Sequence, residues 1–351
     1  MARVVLVTGV GGYLGAEVAG TLRFEPGIDR LIEVTSQDAP DAPPPVVGDP
    51  PPNQREHADE QVARIDVRTG QIGDLIKATG AETVVHLGLA TTPASAGGRA
   101  SMKETNVIGA MQLLNACQRS ATVRKLVVRS STAVYGTSAR DPAVFTENVE
   151  PRASHGYARD VLDVEGYVRG LARRRPDITV SVLRFVNFLG PHVDSPLTRY
   201  FTMPVTPTVL GYDPRIQFLD ICDGVEVIRR MVTEDHHGIY NVTGRGVMLI
   251  SQCLRRAGRV PFPMPARALG VLADLGRGMV DVSPDQRDLL RYGRVVDGTK
   301  LEHALNWAPR HSTQEAFARF AADRGLAERG PAGAIDRLLA ALPAAMAGVR
   351  K

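Results

Sequence analysis

The sequence predicts an α/β fold in which a doubly wound parallel sheet carries helices on both faces, with a smaller C-terminal subdomain for substrate binding. Nearly unbroken apolar runs alternate with amphipathic stretches through the first half of the chain. This alternation is typical of a parallel sheet buried on both faces. The first run enters a glycine-rich turn, and after Pro191 the pattern changes to short segments rich in proline and glycine. Together these features predict the doubly wound arrangement.

The apolar runs give six strands in chain order. Their sequences are RVVLVTG, RLIEVTS, ARIDV (63–67), TVVHLG, KLVVRSS and ITVSVLRF. Residues 39–55, APDAPPPVVGDPPPNQR, contain too much proline for a helix or strand and predict an exposed loop. Arginines at 173–175 before Pro176 predict the C-terminal end of a helix. Later helices are expected around 222–232, 247–258, 283–292 and 313–326.

Composition excludes several classes of protein. No run of about 18 apolar residues is long enough to span a bilayer, and the N-terminus MARVVLVTGV lacks the features of a signal peptide. The three cysteines, Cys117, Cys222 and Cys253, are far apart and odd in number, so we expect no disulfide framework, no metal site and a cytoplasmic location. The net charge is +4, but no aromatic and basic platform accompanies the scattered arginines, which argues against nucleic-acid binding.

The glycine-rich turn TGVGGYLG places Gly9, Gly12 and Gly15 between the first strand and the first helix. One glycine permits the tight turn, one lets the backbone approach a pyrophosphate, and one lets helix and strand pack closely. With 34 glycines in the chain this spacing also arises readily by chance. Its position at a strand-to-helix junction is what indicates a dinucleotide site.

Further segments follow this turn in a characteristic order. They are Asp66-Val67, VVHLGLA, TNVIGAMQLLNAC, VVRSSTAVYG, LRFVNFLGP, FLDICDGVEV, IYNVTG and DGTKLEHALNWAP. In order and spacing the chain resembles the extended short-chain dehydrogenase/reductases, which include NAD-dependent sugar epimerases and dehydratases and hydroxysteroid dehydrogenases. The resemblance covers nearly the whole chain and implies a Rossmann fold, a small-molecule substrate and a homodimer formed through the helices bearing Asn106 and Tyr157.

The resemblance also implies which residues bind the cofactor. These are Gly9, Gly12, Tyr13, Leu14 and Gly15 at the pyrophosphate, Asp66 and Val67 at the adenine, Leu87, Gly88 and Leu89 along the dinucleotide, and Asn106. Taken alone, Asp66 is equally explained as a helix N-cap or turn carboxylate. At the end of the second strand, family members that prefer NAD carry an acidic residue that binds the adenosine ribose. In this sequence that position falls on Thr35 or Ser36, between Glu33 and Asp38. Because neither an NAD-type carboxylate nor an NADP-type arginine is clear there, both cofactors stay open, and NAD is favoured.

The catalytic segment contains one departure from the family pattern. By resemblance, Ser131 orients the substrate oxygen and Tyr157 moves the proton of the substrate hydroxyl, while Glu165 fixes the register of the helix. In the family, a lysine on this helix holds the nicotinamide ribose and lowers the tyrosine pKa. In this register the position of that lysine is occupied by Val161. Loss of such a cation is expected to slow a general base of this kind by about 10² to 10⁴.

No lysine occurs between Lys125 and Lys300 to take over this role. Arg159 lies about 200° around the helix from Tyr157 and cannot substitute. An arginine from another segment, such as Arg199 or Arg215, is the remaining candidate from the sequence.

The substrate side gives weaker signals. Asn187 matches an asparagine that contacts the substrate diphosphate in nucleotide-sugar enzymes, although it also suits a turn before Gly190. Asp223 matches a family aspartate at a helix start, where an N-cap role suffices. An arginine usual directly before QFLDICD is replaced by Ile216, with Arg215 one residue earlier. The preceding segment YFTMPVTPTVLGYDP is apolar and rich in proline, which favours a lipid, sterol or polyprenyl group over a diphosphate, although apolar loops also pack without binding a ligand.

Two hypotheses follow for function. The first is an NAD(P)-dependent oxidoreductase or epimerase acting on a hydroxyl or keto group of a lipid-like or sugar substrate. The second is a catalytically degenerate dinucleotide-binding protein that serves as a sensor or assembly partner.

The expected domain organisation has three parts. Residues 1–185 form the NAD(P)-binding domain, with strands from about 214–243 completing its sheet, and residues 186–213 and 244–330 form the substrate-side subdomain. The tail, 331–351, has apolar residues at helical spacing that pack on the domain or dock on a partner or membrane surface.

Overall fold

A computed structural model describes residues 3–36, 59–92, 96–268 and 284–326. The predicted proline-rich loop at 39–55 and the C-terminal tail at 331–351 lie outside these ranges. Within them, no helix combines the length and the apolar character needed to cross a membrane.

The strands and helices are numbered in chain order. The strands are β1 (Val4–Thr8), β2 (Arg30–Thr35), β3 (Asp59–Arg64), β4 (Thr83–His86), β5 (Lys125–Ser131), β6 (Thr179–Phe185), β7 (Asn187–Leu189), β8 (Val205–Val209), β9 (Arg215–Ile216), β10 (Phe218–Asp220), β11 (Gly238–Val242), β12 (Met248–Leu249) and β13 (Val260–Met264). The helices are α1 (Tyr13–Leu22), α2 (Gln71–Thr79), α3 (Arg99–Lys103), α4 (Gly109–Arg119), α5 (Gly156–Arg174), α6 (Pro196–Thr202), α7 (Ile221–Thr233), α8 (Ile250–Arg256), α9 (Pro284–Tyr292), α10 (Thr299–Leu305) and α11 (Thr313–Asp323).

Seven strands form one parallel sheet in the order β11-β6-β5-β4-β1-β2-β3. The chain runs outward from β1 to β3 and then crosses back to β4 beside β1, so the order reverses between β1 and β4. Residues of α1 and α7 pack against one face of the sheet, and residues of α2, α4 and α5 against the other. The predicted doubly wound fold is therefore confirmed. In such sheets ligands bind outside the carboxyl ends of the strands, at the point where the order reverses.

The third strand was predicted in the wrong place. The apolar pattern ARIDV indicated a strand at 63–67, but β3 is the polar segment DEQVAR, whose residues are exposed or only partly buried. As an edge strand it is held by backbone pairing with β2, and neither of its faces is buried. Ile65 and Val67 lie beyond the strand and pack against the sheet core instead. The apolar pattern of ARIDV therefore indicated the segment after β3, which packs against the sheet, and not the strand itself.

The four later helices lie where the sequence places them, as α7, α8, α9 and α11. The arginine run also ends α5, at Arg174. Arg175 then turns toward the end of α4 and donates to the backbone carbonyls of Cys117, Gln118 and Ser120. A guanidinium thus satisfies carbonyl groups that a helix C-terminus leaves without partners.

A smaller unit lies beyond the carboxyl edge of the sheet. It is built from α6, α8, α9 and α11 and from three two-stranded ladders, β7 with β10, β9 with β12 and β8 with β13. Of the strands from about 214–243, only β11 joins the large sheet. The core of this unit is aromatic, with Phe201, Phe218 and Phe317 in mutual edge or tilted contact.

Asp223 does not cap α7, contrary to expectation. The N-cap is Asp220, whose side chain accepts from the backbone N–H of Cys222 at 2.9 Å. Asp223 is fully buried and accepts from the backbone N–H groups of Arg310 and His311 at 2.9 and 3.0 Å. The carboxylate therefore ties the chain before α11 to the helix beside the sheet.

Candidate cofactor and active site

The glycine turn after β1 shows which glycines the fold itself requires. Gly9 has φ +83°, and a Cβ there would lie 2.5 Å from the Cα of Gly88 at the end of β4. A Cβ on Gly15 would lie 2.1 Å from the backbone oxygen of Gly9. A Cβ on Gly12 would meet the same oxygen only at 3.6 Å, an ordinary contact. The packing of the fold thus requires glycine at positions 9 and 15. A Cβ at position 12 would cause no steric clash within the protein.

Gly12 is the N-cap of α1, and no side chain in the described part of the chain caps this helix start. The first N–H groups of α1 are therefore left to bind a ligand or solvent, and the helix dipole favours an anion there. An open glycine before an uncapped helix start fits the pyrophosphate of a dinucleotide.

Asn106 fixes the chain segment that follows β4. It is completely buried in a π-helical turn, Glu104–Ile108, that leads into α4. Its side-chain oxygen accepts from the backbone N–H of Ala90 at 2.8 Å, and its amide nitrogen donates to the backbone oxygen of Ala90 at 2.9 Å. This pair of bonds orders the backbone next to Leu87, Gly88 and Leu89, the predicted cofactor segment.

At the predicted adenine end, Asp66 behaves as a turn carboxylate. Its oxygens accept from the backbone N–H of Arg68 at 2.9 Å and from the Arg68 guanidinium at 2.8 to 3.1 Å. These bonds hold the pKa of Asp66 below its usual range. Val67 packs beneath Gly109 of α4, where a Cβ would approach its side chain to 3.0 Å. The contact of both residues with adenine stays a prediction.

The end of β2 does not decide between NAD and NADP. Glu33 is buried, and its carboxylate accepts from Arg23 at 2.8 and 3.1 Å. Burial raises the pKa of Glu33 in spite of this partner. Thr35 ends the strand and pairs in register with Arg64 of β3. Asp38 lies outside the described residues.

A cavity opens at the carboxyl edge of the sheet, between β5, the start of α5 and the smaller unit. Four predicted site residues meet in its wall: Tyr13, Ser131, Tyr157 and Asn187. Its other walls are formed by side chains that include Arg129, Phe185, Leu197, Asp285, Leu289 and Arg294.

Ser131 and Tyr157 are held in the cavity by the ends of their elements. Ser131 ends β5, and its Oγ accepts from the backbone N–H of Ala133 at 3.2 Å. Tyr157 is the second residue of α5. Burial raises the pKa of the Tyr157 phenol, while the charge of Arg129 and a side-chain hydrogen bond with Ser131 oppose this rise.

Gly156 lets α5 begin where it does. Its φ is +63°, and a Cβ there would lie 2.3 Å from the Oδ2 atom of Asp285. That oxygen accepts from the backbone N–H of Ala158 at 3.4 Å. Burial raises the pKa of Asp285. A carboxylate from α9 thus sits against the first turn of the helix that carries Tyr157.

Val161 carries no charge toward the cavity and is buried in the apolar core. It is fully inaccessible and belongs to the same cluster as Val134 and Leu183. Arg159 turns away and pairs with Asp163 at 2.9 Å, as its place on the helix predicts.

The two other arginines considered from the sequence are engaged elsewhere. Arg199 pairs with Asp194 at 2.5 Å, and Arg215 donates to the backbone oxygen of Ala143 at 3.0 Å. Neither residue lines the cavity. Neither arginine therefore takes the place of the lysine.

The relationship of the chain to known proteins agrees with this geometry. The family model described as the NAD dependent epimerase/dehydratase family matches residues 5–243. The chain belongs to this family. An uncharacterized protein of Mycobacterium tuberculosis is 39% identical to this epimerase/dehydratase-family chain over 92% of its length and 85% of that protein.

Solved structures of the epimerase/dehydratase type share the fold at low sequence identity. A dTDP-glucose 4,6-dehydratase from Bacillus anthracis in complex with NAD has a TM-score of 0.69 and 16% identity, covering 92% of this chain and 97% of that one. A UDP-glucose 4-epimerase from Thermotoga maritima with UDP-glucose has a TM-score of 0.67 and 18% identity, covering 92% and 99%.

In this epimerase/dehydratase-family protein, the three charged residues of the cavity were missed from the sequence. Arg129 is a charged residue inside an otherwise apolar strand, KLVVRSS, and that contrast could have revealed it. Asp285 and Arg294 reach the cavity from the distant C-terminal part, and no local pattern marks them. Arg294 donates to the backbone oxygen of Gly136 at 3.1 Å, and burial lowers the pKa of its guanidinium to about 10.

Glu165, which sets the register of α5, anchors that helix to the sheet of the epimerase/dehydratase fold. Its carboxylate accepts two hydrogen bonds from Arg184 of β6, at 2.8 and 2.6 Å, and one from Ser130 of β5 at 2.6 Å. Arg184 also donates to the hydroxyl of Tyr135 at 2.9 Å. Because Glu165 and Arg184 are each about 1% exposed, this pair fixes the position of α5 and thereby that of Tyr157.

Proposed function

We propose that this protein is an NAD(P)-dependent oxidoreductase or epimerase that acts on a hydroxyl or keto group of a nucleotide sugar. The observation that carries the proposal is the meeting of Ser131, Tyr157 and Asn187 in one cavity, beside the glycine turn that fits a pyrophosphate. The position at the carboxyl edge, where the strand order reverses, is the expected ligand site of such a sheet.

The smaller unit favours a sugar over a lipid substrate. The apolar segment before Ile216 suggested a lipid lining, but none of its residues lines the cavity, and Tyr200, Phe201 and Val209 are buried in the core of that unit. The polar and charged groups of Asn187 and Arg294 reach the cavity beside apolar side chains such as Leu197 and Leu289. The related structures that bind UDP-glucose or carry NAD support the same substrate class by analogy.

The residues of the chain suit the handling of one proton at the substrate oxygen. The phenolate of Tyr157 takes the proton of a substrate hydroxyl as the carbonyl forms, and returns it when the carbonyl is reduced again. Ser131 donates to the same oxygen and orients it. A bound nicotinamide would supply the acceptor and donor of the hydride that balances the two electrons. That cofactor would be held by the glycine turn, Gly9, Gly12 and Gly15, and by the segment Leu87, Gly88 and Leu89. We propose NAD as the preferred cofactor.

Two measurements test this proposal. Nicotinamide fluorescence is expected to show saturable binding of NADH or NADPH. Incubation with NAD and a panel of UDP- and dTDP-sugars is then expected to yield an epimer or an oxidised product, resolved by chromatography. Absence of dinucleotide binding would overturn the proposal, because the glycine turn would then serve packing alone.

The degenerate alternative rests on Val161, which leaves the usual lysine position without a charge. It predicts dinucleotide binding without turnover of any substrate in the panel. Binding with turnover that depends on Tyr157 would contradict it.

We further propose a homodimer formed through α4 and α5. These elements and the turn before α4 expose large apolar side chains, Ile108, Met111 and Tyr167, at 39 to 41% of their surface. Sedimentation is expected to show a dimer that Met111→Glu weakens and that Val62→Glu, a matched change at an exposed valine of β3, leaves intact. An unaltered dimer in Met111→Glu would contradict this interface.

A further inference from the structure

Arg129 brings a positive charge to the wall of the cavity that holds Tyr157. It lies on β5 two residues before Ser131, so the two side chains leave the same face of the strand. Its side chain is 9% exposed, yet it lines the cavity together with Ser131 and Tyr157. Arginine carries a positive charge in proteins, so Arg129 brings a cation to this wall.

The contacts of Arg129 fix the guanidinium between the cofactor turn and the end of β4. One terminal nitrogen donates to the hydroxyl of Tyr13 at 3.3 Å, and the guanidinium carbon lies 5.8 Å from the centre of that ring. The other terminal nitrogen donates to the backbone oxygen of Leu87 at 3.4 Å. These partners are neutral, and no carboxylate among the described residues pairs with Arg129. Its charge is therefore available to a developing phenolate.

The other cation of the cavity is less suited to this task. Arg294 donates to the backbone oxygen of Gly136, and the carboxylates of Asp285, Asp141 and Asp288 attract its charge. Among the charges that act on Tyr157, that of Arg129 is the foremost.

We propose that Arg129 supplies, from β5, the positive charge that Val161 does not supply from α5, and that it acts as the positioning residue that keeps Tyr157 reactive. This inference rests on the proposed function of Tyr157 as the proton-transfer group. It explains how a valine is tolerated at the lysine position: the charge comes from a neighbouring strand.

The groups that face Tyr157 come from four elements. They are Arg129 on β5, Tyr13 on α1, Asp160 on α5 and Asp285 on α9. Arg99 pairs with Asp160 through both carboxylate oxygens at 2.5 and 2.7 Å, which offsets its negative charge. Asp285 lies beside His155 at 3.5 Å. Burial raises the pKa of Tyr157, and Arg129 is the main charge that opposes this rise.

A spectroscopic titration of the free protein tests the inference without any substrate. The phenolate absorbance of Tyr157 is obtained as the difference between each protein and its Tyr157→Phe counterpart. In Arg129→Met we expect this titration to move to higher pH, with about tenfold less Tyr157 phenolate at a given pH below the midpoint, the size expected for one charge several ångströms away. Arg129→Lys should keep most of the original behaviour because it retains the charge.

Arg159→Met is the matched control, since Arg159 lies on α5 but pairs with Asp163 at the surface. An unchanged titration in Arg129→Met, or an equal change in Arg159→Met, would overturn the role of Arg129. With an active substrate, the pH dependence of kcat/KM should move in the same direction as the titration. If no substrate is turned over, the proposed function fails, while the titration still decides whether Arg129 acts on Tyr157.

Discussion

Replacing Gly15 with alanine is expected to destabilise the fold, whereas replacing Gly12 with alanine leaves the fold intact and removes dinucleotide binding. A Cβ at Gly15 would lie 2.1 Å from the backbone oxygen of Gly9, which we expect to cost about 3 kcal/mol of unfolding free energy. A Cβ at Gly12 makes only an ordinary 3.6 Å contact within the protein but intrudes where the pyrophosphate approaches. Denaturant unfolding and NADH fluorescence measure the two effects separately.

Gly73→Ala is the control for these glycine variants. Gly73 lies in α2, where a Cβ would contact Ala116 at an unstrained 3.6 Å. This change should leave binding unchanged and add slightly to stability, because alanine is the better helix former. If Gly12→Ala binds NADH as tightly as the wild type, the dinucleotide does not lie on this turn.

Replacing Tyr157 with phenylalanine is expected to lower kcat and kcat/KM by about 10² to 10⁴ with little change in NADH affinity. The phenol is the group in the cavity placed to exchange a proton with a substrate oxygen beside Ser131. Its removal takes away transition-state stabilisation and leaves the glycine turn untouched. Steady-state kinetics with the best nucleotide sugar, together with NADH fluorescence, separates the two quantities.

Tyr167→Phe is a matched control on the same helix. Tyr167 is 40% exposed and lies outside the cavity, so its hydroxyl should contribute nothing to turnover. Equal rates for Tyr157→Phe and the wild type would mean that another group, such as Asp285, handles the proton.

Much of the fold follows from local sequence patterns. Five of the six expected strands lie where the apolar runs place them, because central parallel strands are buried on both faces and read as continuous apolar segments. The position of β3 was not predicted because an edge strand can be held by backbone pairing alone and need not be apolar. Asp223 was misassigned because its buried carboxylate serves a distant segment, the chain before α11, which the local sequence does not reveal.

Site residues could be predicted from the sequence only where the position of a residue within its own strand or helix brings it to the cavity. Ser131 at a strand end and Tyr157 at a helix start reach the cavity by the geometry of their own elements. Asp285 and Arg294 reach it through tertiary packing, and the distance between Arg294 and Ser131 along the chain hides their meeting. Arg129 leaves β5 on the same face as Ser131, so it could have been found as the charged residue of an apolar strand. The sequence indicated Arg199 or Arg215 as a replacement for the lysine, but the arginines that line the cavity of Tyr157 are Arg129 and Arg294.

The most direct test of the account is a single-turnover experiment with protein loaded with NAD. On mixing with a UDP- or dTDP-sugar that the protein converts, reduced nicotinamide should form in the wild type, followed by its absorbance. The same signal should form about 10² to 10⁴ times more slowly in Tyr157→Phe. Formation of reduced nicotinamide at the same rate in both proteins, or NAD binding with no reduction by any nucleotide sugar, would contradict the account.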